Sequence, residues 1–413
     1  MSVGIPDTVT VEIDAAEFGG HLAIGALTRN QATGGSIIGF AYADAWLDRP
    51  DRFALDPLHG LYPGDQWPRD GQVDRIFTDS STDRWGRTLM DRQEVVLARK
   101  AGRPRHRLDE WDYLLGVSDV ARMGALRFRT EEGLYLDESS GVPPMAGLPE
   151  LAAAAKSIEQ PDRDASKEAH ALAILLAPGS SLGGARPKAS FRDDHGSLWM
   201  AKFPSRTDAR DMAACEWVLN ELAAAAAIEV PEHRLLSLGR GHRTFAAKRF
   251  DRIDDSRRMY ASAMTMVSRR DREPASYLDI ALAISDHGAT GSIESSLAKL
   301  FRRVAFNILT AHRDDHLRNH GFLRARGGWQ LAPAFDLNPM PDKPEHELAI
   351  DADDHTGDIE LLVQTAEYYR LPTADAEQIV DEVRDALGTW KAVAKAANVG
   401  ALEMDAIDEA IAT

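Results

Sequence analysis

Eight consecutive residues, His312-Arg313-Asp314-Asp315-His316-Leu317-Arg318-Asn319, carry side chains that suit phosphoryl transfer. They fit H-R-D-x-x-x-x-N, in which the Asp accepts a hydroxyl proton and the Asn binds a metal. Seventeen residues after Asn319 stands Asp336, within Phe335-Asp336-Leu337, where a second metal-binding carboxylate belongs. A hard cation such as Mg2+ prefers oxygen ligands and arrives with nucleotide phosphates. Asn319 and Asp336 offer such oxygens. Upstream, Pro178-Gly179-Ser180-Ser181-Leu182-Gly183-Gly184-Ala185 reads as a loop whose backbone N–H groups approach phosphate oxygens, though without the spacing G-x-G-x-x-G. Eighteen residues after Gly184, Lys202 closes an apolar strand, placed to neutralise α- and β-phosphates. Glu216, in the next helix, is placed to orient that lysine.

Each feature has a plainer reading. A Gly-Ser cluster is ordinarily a turn, Lys202 could be an edge-strand lysine facing water, and a Glu on a helix is unremarkable. His312, His316 and His320 fall at i, i+4 and i+8, so in a helix they would share a face and could hold zinc. Asp314, Asp315 and Asn319 disfavour helix here and point to a loop. The order of Lys202, Asp314, Asn319 and Asp336 in one chain makes a mere solvated connector a poor account.

These residues need a frame. Thr8-Val9-Thr10-Val11-Glu12-Ile13 alternates at period two, and Gly19-Gly20 and Gly34-Gly35 punctuate a strand-rich first 130 or so residues. A helix is expected from about Asp83 to Lys100. Gly141-Val142-Pro143-Pro144-Met145 marks a boundary before an Ala-rich helix at Leu151–Ala155. Strands are expected at Ala189–Phe191 and Leu198–Phe203, then a helix over Asp208–Ala226 with Met212, Cys215, Leu219, Leu222 and Ala226 on one face. A hairpin at 235–247 turns at Gly239-Arg240-Gly241. Ile293, Leu297, Phe301, Val304 and Ile308 line a helix ending at Thr310, and a short strand pair follows near Phe322 and Trp329–Leu331.

Composition sets limits. The 413 residues are 44% hydrophobic and 27% charged, which excludes disordered, collagen-like and coiled-coil chains. Lys+Arg 48 against Asp+Glu 65 leaves −17, so the chain by itself should repel nucleic acid. The single cysteine, Cys215, excludes an internal disulfide and a cysteine zinc cluster, in keeping with a reducing cytoplasm. The first 20 residues lack a signal peptide's basic and apolar regions, and Leu222–Val230 is too short to span a bilayer. No membrane association is expected.

Several segments together resemble the HipA family, the serine/threonine-kinase toxins of bacterial HipA–HipB toxin–antitoxin modules. Ser181-Leu182-Gly183-Gly184-Ala185-Arg186-Pro187-Lys188 is similar to its phosphate-binding loop, and Ala201-Lys202-Phe203-Pro204 to its ATP-lysine strand. Lys248-Arg249-Phe250-Asp251-Arg252 resembles the segment leading from the hinge. Asp314–Phe322 resembles the catalytic loop and Pro333–Pro339 the metal-binding segment. Asp83-Arg84-Trp85-Gly86-Arg87 and Gly124-Ala125-Leu126-Arg127-Phe128 are similar to parts of the small N-terminal domain. Asp315 is a departure, standing where some members have a small residue.

The resemblance implies an α/β (α+β) two-lobed, protein-kinase-like fold. Residues 1–135 would form a β-rich N-terminal subdomain, 150–255 the kinase N-lobe and 256–413 a mostly helical C-lobe. It implies ATP and Mg2+ as cofactors, catalytic Asp314 and metal ligands Asn319 and Asp336. Nucleotide contacts would come from Ser181, Leu182, Gly183, Gly184, Ala185, Lys202, Lys248, Phe250, His316, Asn319 and Asp336, with Glu216 orienting the lysine. Ser181 would autophosphorylate and switch the enzyme off, its phosphate repelling the nucleotide or pairing with Arg186 or Lys188. The implied partners are a HipB-like helix-turn-helix antitoxin, a cytosolic protein substrate connected with translation, and DNA only through the antitoxin. Two rivals carry other chemistry: a degenerate kinase-fold co-repressor, and a His/Asp metal-dependent hydrolase. The complete set of Lys202, Asp314, Asn319 and Asp336 argues for activity.

Overall fold

The computed structural model describes residues 6–32, 35–136, 141–159, 165–176, 184–239 and 241–412. Ser181, Leu182 and Gly183, with the rest of the Gly-rich loop before Gly184, lie outside the described residues, as do Gly34 and Arg240. The chain packs as two compact units, residues 1–206 with 251–260, and residues 207–250 with 261–413.

The first unit is built on strand β1 (Thr8–Ala15). Val9, Val11, Ile13 and Ala15 are all buried, as the period-two pattern requires. Strand β2 (Gly20–Ala32) pairs antiparallel with β1, and β3 (Gly35–Tyr42) extends the sheet beyond β2. On its other side β1 pairs with β4 (Leu126–Arg129), Val11 opposite Phe128. The expected helix is α1 (Arg84–Ala101), begun by Asp83, whose carboxylate accepts the Gly86 N–H at 2.7 Å, and ended by Gly102 at φ 62°. Helices α2 (Leu148–Glu159) and α3 (Ala165–Leu176) pack together, and α3 also meets α1. Strands β5 (Lys188–Arg192) and β6 (Leu198–Lys202) form an antiparallel hairpin that sets Lys188 opposite Lys202.

Residues 251–260 join this unit through a fixed buried contact. The Asp251 carboxylate accepts the Gly124 N–H at 2.7 Å. Gly124 has φ +77° and its missing side chain would sit 3.2 Å from Tyr260, so only glycine suits the position. Two motifs read separately in the sequence thus meet across 127 residues.

The second unit is mostly helical. Helix α4 (Met212–Ala225) starts four residues later than expected because Asp211 caps it, accepting the Ala214 N–H at 3.2 Å. Cys215, Leu219 and Leu222 on its expected face are fully buried, and burial pushes the Cys215 thiol up to about 12, leaving it unreactive. The hairpin β7 (His233–Leu236) and β8 (Thr244–Lys248) follows. Helix α5 (Tyr277–His287) opens with a Ser276/Asp279 capping box. Helix α6 (Ile293–Leu309) buries Leu297, Leu300, Phe301, Val304 and Ile308. Strands β9 (Gly321–Ala325) and β10 (Gly328–Leu331) form the last hairpin, and α7 (Thr373–Leu387) packs on α6. Among the described residues, no helix is long and apolar enough to cross a membrane.

Candidate active site

The run from His312 is a turn, as its Asp and Asn residues implied. Only Leu317–Asn319 closes into a short 3-10 helix. The three histidines are therefore not stacked on one helical face, and no cluster able to hold a metal through His, Cys, Asp and Glu exists among the described residues. The zinc arrangement is not formed.

Backbone strain sits on either side of the turn's chemistry. Ala311 has φ 44° and Asp336 φ 62°, both left-handed and neither glycine. Such outliers persist only where the surroundings over-determine them, and they concentrate at functional sites. Here the surroundings are visible. The Ala311 carbonyl accepts the Met340 N–H at 2.9 Å, and the Arg313 guanidinium donates to the carbonyls of Pro341 and Lys343 at 2.8 and 2.7 Å. The segment after Asp336 is thereby strapped to the 312–319 turn.

The two adjacent carboxylates differ sharply. Asp314 is 60% exposed and pairs with Lys343 Nζ at 3.0 Å, while Lys343 also reaches Glu347 at 2.7 Å. Burial opposes the Lys343 charge, but Glu347 and Asp314 outweigh it and raise its pKa. Asp315 is buried. It accepts from Tyr277 Oη at 2.7 Å and Asn307 Nδ2 at 2.8 Å, and lies 2.7 Å from His320 Nε2. Burial opposes its charge, yet His320, His312 and Tyr277 hold its carboxyl well below the usual carboxylate range.

Asn319 is buried and donates from Nδ2 to the Asp314 carbonyl at 3.4 Å, so its amide oxygen is the atom suited to a cation. Asn338 Nδ2 donates to Asp336 Oδ1 at 3.3 Å. A carboxylate and an amide oxygen are hard oxygen donors, the chemistry that Mg2+ carried on phosphates prefers. Phe335, beside Asp336, packs on Phe250 with ring centroids 5.4 Å apart and planes tilted by 32°, so the segments of these two residues meet. His316 is half-buried beside Asp315, with Nδ1 unpartnered. Lys248 ends β8 half-buried, its Nζ 3.8 Å from Glu232. Glu216 is buried on α4, its carbonyl accepting from Asn220 Nδ2 at 2.7 Å.

The remaining sites lie in the first unit. Lys202 is only 8% exposed at the end of β6, which removes the reading of a lysine facing water. Gly184, at φ +89°, and Ala185 are exposed. The Gly184 carbonyl accepts the Trp85 N–H at 3.3 Å, and Lys188 Nζ lies 3.0 Å from Asp83 in a pair only 2% and 1% exposed. Lys188 thus pairs with a buried carboxylate, while Ser181 lies outside the described residues.

The family model for the HipA-like C-terminal domain matches residues 180–390, just over half of the chain. The chain belongs to the HipA family. Its fold is similar to that of HipA in the Shewanella oneidensis MR-1 toxin–antitoxin complex of HipA, HipB and operator DNA. That match has a TM-score of 0.67 at 15% identity and covers 98% of this chain and 96% of the other. The Helicobacter pylori proinflammatory kinase CtkA matches at a TM-score of 0.40 and 18% identity, over 56% of this chain and 92% of that one. No curated protein sequence matches the chain. The mixed α/β fold, β-rich in the N-terminal region and helical in the C-terminal part, is thus the HipA fold. The pairing of Lys343 with Asp314 and the burial of Asp315 are not legible in the sequence. An Asp-Asp doublet was the one available signal that neighbouring carboxylates serve different ends.

Proposed function

We propose that this HipA-family protein is an ATP- and Mg2+-dependent serine/threonine protein kinase, acting in the cytoplasm as the toxin of a toxin–antitoxin module. The observation that carries the reading is an exposed Asp314 and the oxygen donor Asn319 on one turn, to which the segment after the left-handed Asp336 is strapped. Asp314 would orient the substrate hydroxyl and accept its proton. Asn319 and Asp336 would hold Mg2+, which supplies charge neutralisation at the β- and γ-phosphates. Lys202, oriented by Glu216, with Gly184, Ala185 and the preceding loop residues, would bind the phosphates, and Lys248, Phe250 and His316 would complete the nucleotide site. Residues 1–135, 150–255 and 256–413 would serve as N-terminal subdomain, nucleotide lobe and catalytic lobe. The substrate is a cytosolic protein connected with translation. The Shewanella structure holds HipB and operator DNA, which supports a small helix-turn-helix antitoxin as partner and DNA contact through it. With a net charge of −17, the chain alone should give a blank gel shift at physiological salt.

The test uses labelled ATP, Mg2+ and cytosolic proteins. Wild type should label a target, and folded Asp314→Ala should lose about 10²–10⁴-fold of the rate. Full activity in that variant would remove Asp314 from its role. Intact mass should also show one added phosphate on wild type, absent from Ser181→Ala. An active but unmodified wild type would remove the Ser181 switch.

A further inference from the structure

Asp315 is a buried carboxylate, one residue from the exposed Asp314, and the chemistry proposed above does not use it. A buried charge is costly unless fully paired, and this one is surrounded. Tyr277 comes from the first residue of α5, Asn307 from the last turn of α6 and His320 from the entry to β9. The fourth neighbour leads elsewhere. His312 Nε2 lies 3.8 Å from Asp315 Oδ1, and its other ring nitrogen, Nδ1, lies 2.8 Å from the Asn338 carbonyl oxygen. Asn338 in turn donates from Nδ2 to both the carbonyl and Oδ1 of Asp336 at 3.3 Å. Among the described residues His312 Nε2 makes no hydrogen bond, so the ring faces Asp315 electrostatically across 3.8 Å, and hydrogen bonds carry the path from its Nδ1 through Asn338 to Asp336.

We infer that Asp315 is a positioning residue that sets the catalytic turn and the metal-binding segment in register, acting on Asp336 through His312 and Asn338. The inference rests on the kinase reading and deepens it. Asp315 fixes where the Asp314 backbone lies, because three elements of the second unit converge on its carboxylate. The His312 ring, fixed at one nitrogen by Asn338 and faced at the other by Asp315, keeps the Asp336 segment at its left-handed φ of 62°. Groups that orient a metal ligand in this way typically change metal affinity by about 10–100-fold when removed. Asp315 stands three contacts from Asp336, so the lower end is expected.

The experiment measures binding of the non-hydrolysable nucleotide AMP-PNP by calorimetry while Mg2+ is titrated. Asp315→Asn keeps the shape and removes the charge. It should raise the Mg2+ concentration for half-maximal binding by about tenfold. A loss of folded protein would lower the number of binding sites and leave that midpoint in place, so the midpoint separates positioning from stability. His312→Gln removes the ring that joins Asp315 to Asn338 and should shift the midpoint in the same direction. Should Asp315→Asn fail to fold, His312→Gln decides alone. Wild-type midpoints in the folded variants would overturn the inference while leaving the kinase reading in place. A wild type that binds AMP-PNP without any response to Mg2+ would overturn both.

Discussion

The catalytic turn and the exit of the Gly-rich loop are held in opposite ways. Around Asp315 the partners are close in sequence, with Asn307 eight residues away, His320 five and Tyr277 thirty-eight. Around Gly184 the support comes from far off, since Lys188 pairs with Asp83 across 105 residues and Trp85 donates to the Gly184 carbonyl. The turn is thus a local device that its own helices build. The loop exit depends on the N-terminal subdomain being folded and in place. If the loop binds phosphate as proposed, its anchoring at a distance would give events in the first 130 residues a handle on the nucleotide.

The sharpest way to break this contrast is Lys188→Met. Removing one partner of a buried ion pair leaves the other charge stranded and typically costs about 3–5 kcal/mol. Urea unfolding should show that loss, and Asp83→Asn in the same chain should restore much of it, because the stranded charge is then gone. Additive losses in the double variant would show that the two residues are not coupled.

Acid should act first on the other region. His346 is buried, and burial pushes its pKa down to about 4, with Asp315 opposing and His312, Arg313 and Lys343 reinforcing the shift. Burial likewise lowers His320. Between roughly pH 6.5 and 4 the unfolded chain binds the proton and the folded chain does not, so stability falls as pH falls through that window. The loss from His346 alone should reach roughly 3 kcal/mol. His346→Asn should flatten the dependence of urea midpoints between pH 7 and pH 5. An unchanged slope would show that His346 keeps its ordinary affinity for protons. Asp315, held low, adds its own loss only below the ordinary carboxylate range.

The same contrast explains what the sequence made legible. Strand β1 follows from strict alternation, α6 from its apolar face, and the 312–319 turn from Asp and Asn in a short run, all of them local signals. The pairings Lys188–Asp83 and Asp251–Gly124 join residues more than 100 apart, and no local pattern encodes them. The different places of Asp314 and Asp315 were also hidden. Adjacent residues in a turn share composition and propensity, and only the packing of Tyr277, Asn307 and His320 puts one carboxylate inside and leaves the other in water. Lys343 escaped notice because nothing in Pro341-Asp342-Lys343-Pro344 resembles a catalytic motif. It reaches Asp314 only because Arg313 holds the carbonyls of Pro341 and Lys343.

Lys343 gives the smallest expected effect on stability. Its pair with Asp314 lies at the surface, with the carboxylate 60% and the lysine 29% exposed. Pairs of this kind contribute about 0–1 kcal/mol and are weakened by salt. Lys343→Met should therefore leave the urea midpoint almost unchanged, in contrast to Lys188→Met. Phosphoryl transfer should respond more. Lys343 holds one oxygen of the Asp314 carboxylate; in the proposed kinase the other oxygen would be left for a substrate hydroxyl, and the lysine would place a positive charge near the negative transferring group. Loss of both contributions should lower kcat several-fold, well short of the loss in Asp314→Ala, and Lys343→Arg should recover part of it. A Lys343→Met protein with unaltered kcat would make the ion pair a resting contact that substrate displaces. A loss as large as that of Asp314→Ala would instead make Lys343 part of the chemistry itself.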